Sequence, residues 1–207
     1  MIYDSMIAAI MCGGKGNRMR QFVDVEKPML KIKGKPMIER VLDALVESQM
    51  FERIIGVPSP NTPKTSAFLH CYLPSLIDII KTKGKSYSKD LSVVLNKVKP
   101  AVVFVVAADI PLLNPKIVQN VIRRCSSQLP CVSIISEKQF VDNIGMKSGL
   151  VLTIKSKQYC HTGITVIDSS RVKGVCNLKE YYVIMNEKEI AVNVNTGGEL
   201  DVAKRLV

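Results

Sequence analysis

A three-layer α/β sandwich around a mostly parallel central sheet is the fold this sequence predicts, on three observations. Strand-like and helix-like segments alternate almost from the first residue, as in a sheet whose crossovers are helices. A glycine-rich stretch directly follows the first strand, where such a fold turns into its first crossover. Residues 101–107 (Ala-Val-Val-Phe-Val-Val-Ala) are continuously apolar, as in a central strand covered on both faces.

Taken in order, residues 5–11 form the first strand and run into the glycine loop. Pro36 sits at a helix N1 position. Behind it Met37, Val41, Leu42, Leu45 and Val46 recur at helical spacing, while Glu39, Arg40, Asp43 and Glu47 face out. Residues 53–57 read as the next strand, and the turn-rich 59–63 leads into a helix ending near Tyr72. Residues 76–80 make a third strand and 81–85 a basic loop; Ser88 is the expected N-cap of a helix carrying Leu91, Val94, Leu95 and Val98, with Asp90 in its first turn. After the apolar strand, Pro115 opens a helix with Ile117, Val118, Val121 and Ile122, and residues 131–136 form a further strand. From Gly149 the strands shorten, at 150–154, 163–167 and 190–194, before a last helix with Leu200, Ala203 and Leu206. No repeat or low-complexity linker interrupts the chain, so residues 1–207 read as a single domain.

Composition narrows the partners. The chain is 47% hydrophobic and 23% charged, ordinary for a soluble globular protein. No apolar run approaches the ~18 residues of a membrane span, and no basic region precedes an apolar stretch at the N-terminus. A cytoplasmic protein without a membrane partner is expected. The formal net charge is +11, from 29 Lys and Arg against 18 Asp and Glu, which favours polyanionic ligands. Aromatic residues are only 5% with no Trp, and no basic run exceeds two residues, so a nucleic-acid platform or arm is not expected. Phosphorylated small molecules remain. The six cysteines include no Cys-x-x-Cys pair, so reduced thiols are expected rather than a zinc site or a disulfide framework. His70 and His161 each adjoin a cysteine, but sequence neighbours do not face each other on a strand, which disfavours a Cys–His nucleophile.

Ligands of open parallel sheets bind at the carboxyl ends of the strands. Three loops there carry chemistry. In Cys12-Gly13-Gly14-Lys15-Gly16-Asn17-Arg18-Met19, the glycines let backbone amides approach phosphate oxygens. Lys15 adds a point charge, and Arg18 a fork able to hold a phosphate bidentately. Met19 stands where a dinucleotide fingerprint needs its third glycine, and Ile79 where a Walker loop ending in Gly84-Lys85-Ser86 needs its first. Downstream, Pro28 restricts the residue before it and so presents Lys27. At the end of the apolar strand, Asp109 within Ala-Ala-Asp-Ile-Pro is a carboxylate whose burial is costly unless it meets a cation or donors.

The loop of form Gly-Gly-x-Gly-x-Arg-Met followed by Lys27-Pro28 resembles the nucleotidyltransferase superfamily of molybdenum-cofactor and sugar-nucleotide enzymes. That resemblance implies a Rossmann-like sandwich of nucleotidyltransferase type. It gives Lys15 and Arg18 the β- and γ-phosphates of a nucleoside triphosphate, Lys27 the α-phosphate, and Asp109 a Mg²⁺ ion; Lys15, Arg18, Lys27 and Asp109 are thereby the expected catalytic residues. Relatives in the superfamily often place a second acid near the C-terminus, where this chain has Asn193 and Asn195 within Val-Asn-Val-Asn-Thr. Ser59-Pro60-Asn61-Thr62-Pro63-Lys64-Thr65, Gly84 to Leu91 and Gly163-Ile164-Thr165-Val166 narrow the likeness to the archaeal GTP:adenosylcobinamide-phosphate guanylyltransferases, the CobY family. This implies GTP as nucleotide substrate and adenosylcobinamide phosphate as acceptor. Gly13, Gly14 and Gly16 then cradle the phosphates, and Ser59, Pro60 and Asn61 line the guanine or ribose side with Gly84 and Lys85 nearby. Gly163 permits close approach beside the GTP. Molybdenum-cofactor and sugar-phosphate transferases share the opening loop and remain alternatives, as does a nucleotide- or RNA-binding protein on the same fold. The sequence leaves the oligomeric state open, and a homodimer is compatible with it.

Overall fold

The computed structural model describes residues 6–20, 25–72, 75–126, 128–147, 149–173 and 178–207. Strand β1 (Met6–Met11) leads through the glycine loop into a short helix α1 (Asn17–Arg20). A 3-10 turn (Lys27–Met29) and a small hairpin, β2 (Lys31–Ile32) and β3 (Lys35–Pro36), precede helix α2 (Met37–Ser48). Next come β4 (Arg53–Val57), α3 (Pro63–Cys71), β5 (Ile77–Ile79), α4 (Tyr87–Lys97), β6 (Val102–Ala107) and α5 (Pro115–Arg124). The second half holds β7 (Cys131–Glu137), α6 (Lys138–Asn143), β8 (Val151–Ile154), β9 (Lys157–Asp168), β10 (Tyr181–Ile184), α7 (Lys188–Ala191) and α8 (Gly197–Leu206). Ser5 and Cys176 lie outside the described residues.

One sheet runs β10-β7-β9-β6-β1-β4-β5, with β8 added to β9. β6, β1, β4 and β5 are mutually parallel and β10 is parallel to β7, while β9 runs antiparallel to β6, β7 and β8. The expected mostly parallel sheet is present. Alternation along β1 divides the core between its faces. Met6, Ala8 and Ile10 pack with α2 and α5, whereas Ile7 and Ala9 pack with α4. A third cluster joins Met19, Leu30 and Ile32 to Val192, Val194 and Val202, and so fixes the C-terminal segment beside the glycine loop.

Some boundaries differ from expectation, each for a local reason. Helix α2 starts at Met37 with Pro36 as its N-cap, one residue later than expected. Helix α4 is capped by Ser86, whose hydroxyl accepts from the Lys89 amide at 3.4 Å, and not by Ser88, which lies inside the helix. Both serines satisfy the capping preference, but Ser86 has the extended backbone of an N-cap and Ser88 is already helical. Residues 190–194 are not a strand. Ile190, Val192 and Val194 are buried, but the Val192 amide closes the α7 turn on the Lys188 carbonyl and the Val194 amide donates to the carbonyl of Asp109. Strand β9 begins six residues before the expected 163, in polar residues, and the half-exposed β10 is a strand that was not expected. Among the described residues no helix is long and apolar enough to cross a membrane.

Phe104 is fully buried at the middle of β6, with its ring 5.3 Å from that of Phe51. Phe104→Ala is expected to lower unfolding stability by about 3–5 kcal/mol, the usual cost of emptying such a site. Denaturant titration reads this as a lower midpoint at unchanged slope.

Candidate active site

Strands β4, β1 and β6 end side by side: Met11 lies opposite Val57 on one flank and Ala107 on the other. The loops that follow them therefore meet, and a cleft of about 480 Å³ opens over their ends. Its wall includes Gly13, Gly14, Lys15, Gly16, Arg18 and Lys27 from the N-terminal segment. Gly84, Lys85 and Asp109 complete it, together with Asn195 from the C-terminal segment.

At the centre, the ammonium of Lys27 forms an ion pair with Asp109 Oδ2, both side chains largely withdrawn from solvent. Lys27 also donates to Asn195 Oδ1 at 2.8 Å, and an Arg18 guanidinium nitrogen donates to the same oxygen at 3.2 Å. Asn195 returns its amide to Asn193 Oδ1 at 2.7 Å. Its own backbone N–H donates to Glu199 Oε2 at 2.6 Å, on the buried first turn of α8. One neutral oxygen thus holds two cations together without cancelling either charge. Asp109 Oδ1 is buried and has no hydrogen-bond partner. Among the described residues no three His, Cys, Asp or Glu side chains gather as a metal site. A lone carboxylate oxygen is still a fitting ligand for Mg²⁺, which binds through one or two carboxylates with substrate phosphates and water.

The glycine loop is braced from behind. Ser59 Oγ donates to the Gly13 carbonyl at 2.6 Å, and Asn61 Nδ2 donates to the carbonyls of Gly13 and Gly84 at 3.3 and 3.2 Å. Gly84 has φ +63°, and a Cβ there would lie 2.4 Å from Asn61 Nδ2, so glycine is required. The Gly84 amide donates to the buried carboxylate of Asp90 at 3.2 Å. Glu26, next to Lys27, accepts from the amides of Lys64 and Thr65 at 2.6 and 2.7 Å and from the Thr65 hydroxyl at 2.6 Å, capping the start of α3 from a distance.

The structure therefore gathers Lys15, Arg18, Lys27, Gly84, Lys85 and Asp109 around one cleft. It places Ser59, Pro60 and Asn61 elsewhere: Ser59 and Asn61 tie two loops together, Pro60 is exposed, and none of the three lines the cleft. Gly163 lines an adjoining cavity and packs against Ala107 and Asn193. Glu26 as a helix brace and Asn195 as a shared acceptor were not foreseen. The Lys-Pro step marks the first; for the second the only signal was the Val-Asn-Val-Asn-Thr stretch. Cys12 is no nucleophile, because burial pushes its thiol up to about 12.

A doubly covered sheet with a glycine loop and clustered cations along its carboxyl edge is the architecture of a nucleotidyltransferase. The chain belongs to the MobA-like NTP transferase family, whose domain matches residues 8–161. It is 29% identical to an adenosylcobinamide-phosphate guanylyltransferase of Methanocaldococcus jannaschii, over 98% of this chain and 97% of that protein. It is 24% identical to a "probable molybdenum cofactor guanylyltransferase" of Natranaerobius thermophilus, over 98% and 96%. A solved hypothetical transferase from Thermus thermophilus shares the fold, with a TM-score of 0.70 at 17% identity over 95% of this chain and 99% of that one.

Asn195→Ala removes the acceptor shared by Arg18 and Lys27. Its expected effect is a loss of about tenfold or more in triphosphate affinity, the worth of a charge-assisted hydrogen bond. Isothermal titration at unchanged melting temperature separates this from unfolding.

Proposed function

We propose that this enzyme is a guanylyltransferase that moves GMP from GTP to adenosylcobinamide phosphate and releases pyrophosphate. The observation that carries the reading is the convergence of Lys27 and Arg18 on Asn195 beside Asp109, at the mouth of the glycine loop. The full-length likeness to an adenosylcobinamide-phosphate guanylyltransferase supports the choice of acceptor.

In this reading the amides of Gly13, Gly14 and Gly16 meet the triphosphate oxygens, with Lys15 and Arg18 on the β- and γ-phosphates and Lys27 on the α-phosphate. Gly14 suits this role, since a Cβ there would meet nothing within 4 Å and its backbone is open to a ligand. Asp109 Oδ1 would hold Mg²⁺, which supplies charge neutralisation on the phosphates when bound. The acceptor phosphate has a second pKa near ~6 and is already a dianion at neutral pH, so no general base is required. Transfer then depends on alignment and on stabilising the leaving pyrophosphate, which Lys15 and Arg18 provide. Guanine needs acceptors for its N1–H and amino group. Asn61 directs its amide to the two loop carbonyls, so acceptors for the base come from the Asp90 carboxylate, one oxygen of which takes the Gly84 amide, and from main-chain carbonyls along the cleft.

Asp109→Asn removes a charge with little change of shape. Metal-dependent turnover is expected to fall by at least about a hundredfold, the scale on which loss of an electrostatic transition-state group is felt. Folding, read by circular dichroism, is expected to be retained; parental rates at every Mg²⁺ concentration would place the metal elsewhere. Incubation with GTP, Mg²⁺ and either the corrinoid phosphate or molybdopterin, read by product mass, decides the acceptor. Guanylylation of the corrinoid phosphate is the expected result, and turnover of molybdopterin alone would assign the chain to the other relative's reaction.

A further inference from the structure

A second cavity, of about 470 Å³, shares Arg18, Asp109 and Asn195 with the first and continues away from the glycine loop. Lys147, His161 and Leu150 lie on its far side. A group entering here faces the shared wall from the side opposite Lys15. Its floor is made by β9 where that strand lies between β7 and β8.

Outside its rim the sheet carries a row of side chains whose two ends are exposed and apolar. Register places Ile184 opposite Ile135 and Ile135 opposite His161, and the His161 amide donates to the Leu150 carbonyl, so these four residues form one row across β10, β7, β9 and the residue that leads into β8. With strands about 4.8 Å apart, the row spans roughly 14 Å. Tyr182 stands two residues from Ile184 on the same face, its ring edge-on to His161 at 6.1 Å and its hydroxyl fixed by Glu180 at 2.8 Å. Ile135 is fully buried yet belongs to none of the three cores, and Leu150, Tyr182 and Ile184 are 69%, 39% and 44% exposed. An apolar shelf of this kind on a surface rich in charge marks a contact site.

We propose that this shelf and the second cavity together form the acceptor seat: Lys147 holds the acceptor's phosphate, and its bulk lies on Leu150, His161, Tyr182 and Ile184. The acceptor class is therefore a phosphate monoester of a large body with an apolar face, since a small sugar phosphate held in the cavity would leave this row uncovered. The assignment rests on the transfer reaction proposed above. The occupant follows from continuity. The cations are in the cavity, the apolar row begins at its rim with Leu150 and His161, and the shared wall leads to the nucleotide.

The test is steady-state pyrophosphate release with GTP, Mg²⁺ and adenosylcobinamide phosphate, molybdopterin or glucose 1-phosphate, using the parent, Leu150→Asp, Leu150→Ser and Lys147→Ala. Val93→Asp, an exposed apolar position on α4, is the control. Both Leu150 variants and Lys147→Ala are expected to raise KM for the large acceptor about tenfold, the scale of one lost apolar contact or charge. GTP affinity by titration is expected to be unchanged, and Val93→Asp to behave as the parent. Parental KM in Leu150→Asp and Lys147→Ala overturns the seat while leaving the transferase reading intact. Turnover of molybdopterin with a raised KM in Leu150→Asp keeps the seat and overturns the corrinoid assignment. Turnover of glucose 1-phosphate alone, or of no acceptor, overturns both. A parental dimer that Leu150→Asp splits without changing KM gives the shelf to a second copy and overturns the seat.

Discussion

The contact on which the site depends is the ion pair between Lys27 and Asp109, drawn out of water at the ends of the most buried strands. Charges so placed lose hydration, and their mutual attraction offsets that loss only if the remaining hydrogen-bonding capacity is used. Asn195 takes up the lysine and Asn193 orients Asn195. Asp109 sits where it does because β6 is held between β1 and β9, and because its carbonyl accepts from Val194. That last bond draws the C-terminal segment to the opening loop, although 85 residues separate Asp109 from Val194.

The loops around this pair are held by groups that never face the cleft. Ser59 and Asn61 join the glycine loop to the turn at Gly84, and Asp90 holds that turn from the first turn of α4. Each bond satisfies a backbone group that a loop would otherwise leave to water. The result is a cradle whose amides are oriented before any ligand arrives, which is how a site avoids reorganisation during reaction.

Much of this was legible in the sequence. The parallel core announced itself through β1 and β6, where continuous apolar runs permit only a strand covered on both sides. Lys15, Arg18 and Asp109 could be picked out because each follows a strand end or a glycine, and Lys27 because Pro28 restricts the residue before it. The second half was harder. Residues 190–194 alternate as a strand would, and only the third core and the carbonyl of Asp109 explain why they do not join the sheet. Ser59 and Asn61 stood out through their motif and its family likeness; their bracing of the glycine loop against the turn at Gly84 was not legible in it. Asn195 stood out within its motif, but its role as a shared acceptor was not legible, because it arises from two cations 168 and 177 residues away.

Glu26 and Lys27 are consecutive, and they look in opposite directions. One grips the leading amides of α3, the other the carboxylate beneath the cleft. The peptide bond between them therefore ties the start of α3 to the backbone that carries the cleft lysine. Helix α3 is itself seated on the sheet, its buried Leu69 packing over Gly56 in β4 so closely that a methyl on that glycine would stand 2.7 Å from it. The ammonium thus reaches the cleft on a flexible stem from a base anchored, through α3, to β4.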